Sequence, residues 1–196
     1  MSDWFRNTDW TDDIEADFFE RLGRARSQRD QYIVIQALTL AESHPKVALR
    51  LVDLYFETRS DTFDDGRARL AAARARFADG GYEDALDEFE AAIGVQTGGG
   101  SMLVASPLQF AFLTARYRSA KHYASALDML RDLTPPERHA LEPAFQYHAA
   151  SALLLSETGQ DPAGAHMNAE IALGFPEDLI GTFPDLLWRL RKIARR

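Results

Sequence analysis

The chain has 196 residues, 46% of them hydrophobic and 27% charged, with no cysteine and a formal net charge of -8. A chain this long hides roughly 70% of its unfolded surface on folding, so no disulfide or metal staple is needed. The missing cysteines exclude thiol catalysis, thiolate zinc sites and redox switching, and the net charge argues against broad, sequence-independent binding of nucleic acid. The first twenty residues carry seven acids and one arginine, with no apolar run of signal-peptide length. Nowhere does an apolar run reach the ~18 residues of a membrane span. A soluble, cytoplasmic protein is expected. Its charge is lopsided: residues 1–100 hold 20 acids and 12 bases, whereas residues 101–196 hold 10 of each. Five bases, Arg189, Arg191, Lys192, Arg195 and Arg196, crowd the last eight residues.

Apolar residues recur at three- and four-residue spacing throughout, and period-two alternation is nearly absent, which predicts an all-α chain. Thr11, followed by Asp12 and Asp13, caps a first helix whose stripe is Ile14, Phe18, Leu22 and Ala25. Ser27 and Asp30 open a second helix, with Ile33, Ala37, Leu40 and Ala41 on one side. Pro45 sits at the first position of a third, which carries Val47, Ala48, Leu51, Val52, Tyr55 and Phe56. An Ala/Arg-rich helix over 65–78 ends at Asp79-Gly80-Gly81, and the next runs over 82–93. A long loop, 94–105, contains Gly98-Gly99-Gly100 and leads to the Ser106-Pro107 cap of a helix reaching Ser119. Helices over 122–133, 143–158 and 162–173 follow, the last two opened by Pro143 and Pro162, with Gly159 as a C-cap. Two short segments beginning at Phe175-Pro176 and Phe183-Pro184 close the chain. No linker divides it, so one domain over 1–196 is the economical expectation.

The segment from Gly80 to Ala92 has a glycine turn, Tyr82, Ala85, Phe89 and Ala92 at fixed spacing, and it resembles the second half of a tetratricopeptide repeat. In this pattern Ala85 sits at a close helix crossing, with Tyr82 and Phe89 filling the gaps on either side. Ala48, Ala126 and Ala165 occupy comparable places, so that successive alanines lie 37, 41 and 39 residues apart, against a family period of about 34. The family's usual tryptophan is absent, Arg69 and Leu70 standing in its neighbourhood. The resemblance implies antiparallel helix pairs stacked as a tetratricopeptide-like superhelix of about nine to eleven helices. It would comprise a capping helix over 1–27, paired repeats over 28–174 and closing helices over 175–196. The opening, Trp4 to Gln28, also resembles the start of uncharacterised bacterial repeat-containing proteins, which implies a bacterial origin and brings no activity.

In such folds the first helix of each pair lines a concave groove. Carrying the register over places Arg67, Arg74 and Phe77, then Arg118, then Tyr147 on that surface, where arginines and aromatics suit a peptide with acidic groups. In the last helix Leu186, Leu187, Leu190 and Ile193 form the apolar stripe, and Trp188 lies on the opposite arc beside Arg191, Lys192 and Arg195, the composition of an interface anchor.

Signals for chemistry are weak. His139 and His148 lack the i, i+4 spacing of a helical metal site, His44 and His122 fall at helix starts, and His166 lies on an ordinary helix. The triple glycine before Ser101 has neither the lysine nor the preceding strand of a phosphate loop. No serine stands in a nucleophile-elbow context. No cofactor, metal, nucleic acid or stable membrane insertion is expected. The expected function is a non-enzymatic helical repeat scaffold that binds a protein or peptide. The alternatives are a bacterial immunity or antitoxin protein masking a basic toxin with its acidic half, and an all-α enzyme with its site in the groove. The charges also allow a homodimer in which the basic last helix of one copy meets the acidic half of another.

Overall fold

A computed structural model describes residues 3–25, 27–97 and 105–195. Among these residues the chain is all helical, with eleven α-helices and no strand. They are α1 (Asp12–Arg24), α2 (Arg29–Leu40), α3 (Pro45–Thr58), α4 (Asp65–Ala78), α5 (Tyr82–Thr97), α6 (Pro107–Tyr117), α7 (Tyr123–Asp132), α8 (Leu141–Thr158), α9 (Pro162–Leu173), α10 (Glu177–Gly181) and α11 (Pro184–Ile193). Neighbours pack in adjacent pairs, α2 with α3, α4 with α5, α6 with α7 and α8 with α9. The chain divides into two compact units, Met1–Ala105 and Ser106–Arg196. The expected triple-glycine loop and Ser101 lie outside the described residues.

In the first unit the chain before α1 is held by a side chain in place of a helix. Gln36, buried in the middle of α2, receives the Asn7 N–H on Oε1 at 2.9 Å and donates Nε2 to the Asn7 carbonyl at 2.7 Å. A carboxamide carries the same donor and acceptor as a peptide group, so one glutamine satisfies both backbone groups of a residue that has no helical partners. Around this clamp Phe5 stacks on Tyr32 at 4.5 Å, and Trp4 meets Phe18 and Tyr32 at 5.6 and 5.0 Å. Trp10 packs on Phe18 and donates its indole N–H to Glu15 at 2.7 Å. Thr11 caps α1 by accepting from the Ile14 N–H.

The pairs are close where the sequence is small. Ala48, Ala85, Ala126 and Ala165 are all buried, one each on α3, α5, α7 and α9. On α4 the buried set is Gly66, Ala68, Leu70, Ala71, Ala72, Ala73 and Ala75, so the helix can be approached from several sides at once. Phe89 is buried as expected, but Tyr82 is 43% exposed and lies against Phe77 at 6.2 Å. It is the first residue of α5, and the helix end leaves its ring at the surface. Gly80, with φ of 85°, makes the turn before it. The α5 helix runs to Thr97, beyond the expected end at Ile93.

Buried Tyr55 donates its hydroxyl to Asp65 at 2.8 Å, while Arg59 pairs with Asp65 at 3.4 Å and covers the Phe56 ring at 4.9 Å. Burial, then the bond to the Asp65 carboxylate and its charge, push the Tyr55 hydroxyl well above its ordinary value.

In the second unit Ser106 caps α6, accepting from the Gln109 N–H at 3.4 Å, with Pro107 at the first position. The α8 helix begins at Leu141, two residues before the proline expected to open it. Pro143 therefore occupies the third helical position, where the missing N–H still has no intrahelical acceptor to lose. Gly159, with φ of 67°, ends α8, and Asp161 caps α9 by accepting from the Gly164 N–H at 2.9 Å. Phe183, just before α11, stacks on Phe145 of α8 at 5.3 Å and meets Phe112 of α6 edge-on at 5.2 Å. These rings fix where α11 starts.

Replacing Gln36 with Leu leaves the Asn7 N–H and carbonyl without their partner at a half-buried position and is expected to cost about 1–3 kcal/mol by urea denaturation. Asn7→Ala keeps that backbone pairing and is expected to cost about 1 kcal/mol or less. Alkaline titration tests Tyr55. Its folded pKa is raised, so the stability it contributes is whole below the unfolded value of about 10 and declines as pH rises past it. Tyr55→Phe is expected to flatten that alkaline decline of the melting temperature.

Candidate functional site

On α4 of the first unit, Arg67 and Arg74 are one heptad apart and share the edge left open by the alanines. Arg67 is half-buried and tied to Asp64 at 3.1 Å, whereas Arg74 is exposed and has no carboxylate partner among the described residues. Phe77 is half-buried against Tyr82. Among the described residues this edge offers one unpaired cation, Arg74, and one partly covered ring.

The second unit brings its expected residues together more closely. Trp188 is 55% exposed, and the Arg118 guanidinium lies over its ring at 5.9 Å. Leu186, Leu190 and Ile193 of α11 face the core, while Trp188, Arg191, Lys192 and Arg195 occupy the outer face at i, i+3, i+4 and i+7. Leu187, expected in the buried stripe, is only half-buried. Its place is taken by Arg189, 6% exposed, which stands three residues after Leu186 and four before Ile193. Helical arithmetic puts Arg189 on the apolar face, a position its charge conceals.

Arg189 reaches the C-terminal end of α6. Its Nη1 donates to the Ala115 carbonyl at 2.9 Å and to that of Arg116 at 3.3 Å, and Nη2 approaches Glu157 Oε1 of α8 at 3.3 Å. The last carbonyls of α6 have no helical donors and carry the negative end of the helix dipole, so a guanidinium is a fitting partner. Burial and the nearby Arg118 charge lower the Arg189 pKa, and its Nε has no hydrogen-bond partner among the described residues. Arg116 adds a second tie, holding Asp185 of α11 through Nε at 3.0 Å and Nη2 at 3.2 Å.

Arg118 ends α6 in a left-handed conformation, φ 58° and ψ 39°, a place that glycine takes most easily. A side chain there costs on the order of 1 kcal/mol. In this position it reaches Glu157 Oε1 at 3.3 Å as well as Trp188. A cleft of about 200 Å³ opens beside these groups, lined by Arg118, Ser156, Glu157, Trp188, Arg189 and Lys192. Glu157 and Arg189 are absent from the residues expected to bind.

Tyr147 belongs elsewhere. It is half-buried in a separate cleft with Leu127, Leu130 and Asn168, apart from Trp188. The Ser119 hydroxyl and His122 Nδ1 are 2.6 Å apart, but both residues are 1% exposed, so the pair closes the turn between α6 and α7 where no substrate reaches. Half-buried His148 bonds Asn168 at 2.8 Å, tying α8 to α9. Among the described residues no three histidine or carboxylate groups are placed to hold a metal ion.

Comparison with known proteins found no family model, no curated protein and no solved structure that matches the chain.

Replacing Arg189 with Met keeps the bulk of the side chain and strips the α6 carbonyls of their donors. The expected cost is about 2–4 kcal/mol by denaturant unfolding. Arg191→Met on the outer face is expected to stay within about 0.5 kcal/mol of the parent.

Proposed function

We propose that the chain is a non-enzymatic helical repeat scaffold of the cytoplasm that binds a protein or peptide, and that α11 makes the main contact. The exposed Trp188, flanked on one helical face by Arg191, Lys192 and Arg195, carries this reading. Tryptophan and arginine concentrate binding energy at interfaces, since one offers a large rigid surface and the other several donors in a plane. The α11 backbone is anchored by Arg189, Arg116 and Phe183, so the backbone of this face needs no further ordering on binding. Buried alanines recurring on α3, α5, α7 and α9 support a repeat architecture of the tetratricopeptide kind. No described helix is long and apolar enough to cross a membrane.

The acidic α1 serves the immunity-protein reading less well. Asp17 pairs with Arg21 at 2.8 Å and Glu20 pairs with Arg24, so two of its outward carboxylates are already compensated within the helix.

Affinity capture from the source lysate with the parent chain and with Trp188→Ala tests the reading. The variant is expected to keep its melting temperature and to lose at least about tenfold of the captured partner, the loss typical of an interface hot spot. A partner retained in full by Trp188→Ala removes α11 as the contact.

A further inference from the structure

We infer that the cleft between α6, α8 and α11 is a carboxylate-binding site for an acidic segment of a partner protein, with an adjoining cavity that takes an apolar side chain of the same segment. The inference rests on the reading of α11 as the contact face and names the chemistry it recognises.

The cleft holds three cations, Arg118, Arg189 and Lys192, and one carboxylate, Glu157. Both arginines lean on the same oxygen of Glu157, each at 3.3 Å, longer than the roughly 2.7–2.9 Å of a strong charge-assisted bond. Arg189 is more than nine-tenths buried and its Nε has no hydrogen-bond partner among the described residues. Lys192 has no carboxylate partner among the described residues, and its side chain lines the same cleft. The site therefore carries a local excess of positive charge partly shielded from water, where a second carboxylate is attracted more strongly than at an open surface.

The conformation of Arg118 points the same way. A left-handed residue at a helix end favours glycine, yet here it bears a guanidinium laid over Trp188 and aimed at the cleft. Its present partner, Glu157, stays paired with Arg189 if Arg118 turns to an incoming carboxylate. Beside the cleft, sharing Ser156 and Ile193 with it, lies a second cavity of about 580 Å³ walled mainly by Leu155, Pro162, Ala163 and Ala165, with His166 at its edge. An acidic residue followed closely by a leucine-like one matches this division.

Other anions fit less well. A bilayer-binding helix presents a wide apolar face to lipid, but Leu186, Leu190 and Ile193 of α11 are turned into the core and Trp188 is the one large apolar group outside. A nucleic acid demands many phosphate contacts from a chain whose net charge is -8.

The test uses the full chain and fluorescein-labelled peptides in which one glutamate stands at increasing distance from one leucine, read by anisotropy, with glutamine counterparts and phosphatidylserine vesicles as further probes. At least one glutamate peptide is expected to bind, its glutamine counterpart at least about tenfold more weakly, and raised salt to weaken the complex. Arg118→Gly is the sharpest variant, since it removes the guanidinium while suiting the backbone. It is expected to lose about tenfold in affinity with a melting temperature equal to or above the parent's. Lys192→Gln is expected to lose several-fold at unchanged stability. Equal binding of glutamate and glutamine peptides, full affinity in Arg118→Gly, binding to vesicles alone, or no peptide binding at all each overturn the inference. If the peptides fail while Trp188→Ala still loses its lysate partner, the carboxylate chemistry falls and α11 stands as the contact face. If the peptides bind and Trp188→Ala keeps its lysate partner, the reverse holds.

Discussion

The buried guanidinium of Arg189 is the contact on which the second unit's surface depends. It occupies a position that would otherwise hold an apolar residue, and it compensates for its desolvation by bonding the carbonyls at the end of α6. Because those carbonyls belong to Ala115 and Arg116, the bond fixes α11 relative to the turn that carries Arg118. The outer face of α11 and the side chain of Arg118 are consequently set by one internal contact. Trp188 is next in sequence to Arg189, so anchoring the one directs the other outward.

The first unit reaches its packing by different means. Its amino-terminal segment is not helical, and Gln36 supplies the donor and acceptor that a helix would have supplied. Aromatic rings from Trp4, Phe5, Trp10, Phe18 and Tyr32 then cover the clamp. Beyond them alanines line α4, buried Asp64 and the Tyr55–Asp65 pair bring carboxylates inward, and Arg69 holds Glu88 at 3.0 Å and lies over Phe56. Large side chains from α2 and α3, Ile33, Leu40, Leu51 and Tyr55 among them, fill this core, and the alanines of α4 pack against them.

Helix positions were legible wherever a local rule operates. Thr11, Pro45, Ser106 and Pro162 each mark a start, because capping and the proline ring act on the residue itself. Pro143 misplaces its helix by two residues, since any of the first-turn positions tolerates proline. The end of α5 was hidden because Gly94, directly after Ile93, has the character of a helix stop, whereas the helix carries it internally and runs on to Thr97. The exposure of Trp188 follows from helical spacing, but the roles of Arg189 and Glu157 do not. Glu157 comes near Arg118 only through the packing of α8 on α6, 39 residues away in sequence, and no local pattern encodes such a meeting. Arg189 is legible from its place between Leu186 and Ile193, where helical spacing assigns it the apolar face whatever its residue type.

The alanine lining of α4 has an entropic consequence. Alanine has no side-chain rotamers to lose on burial, so Ala68, Ala71, Ala72, Ala73 and Ala75 are packed without the ordering cost that leucine or methionine would carry in the same places. The close packing of α4 is therefore opposed mainly by the ordering of its backbone.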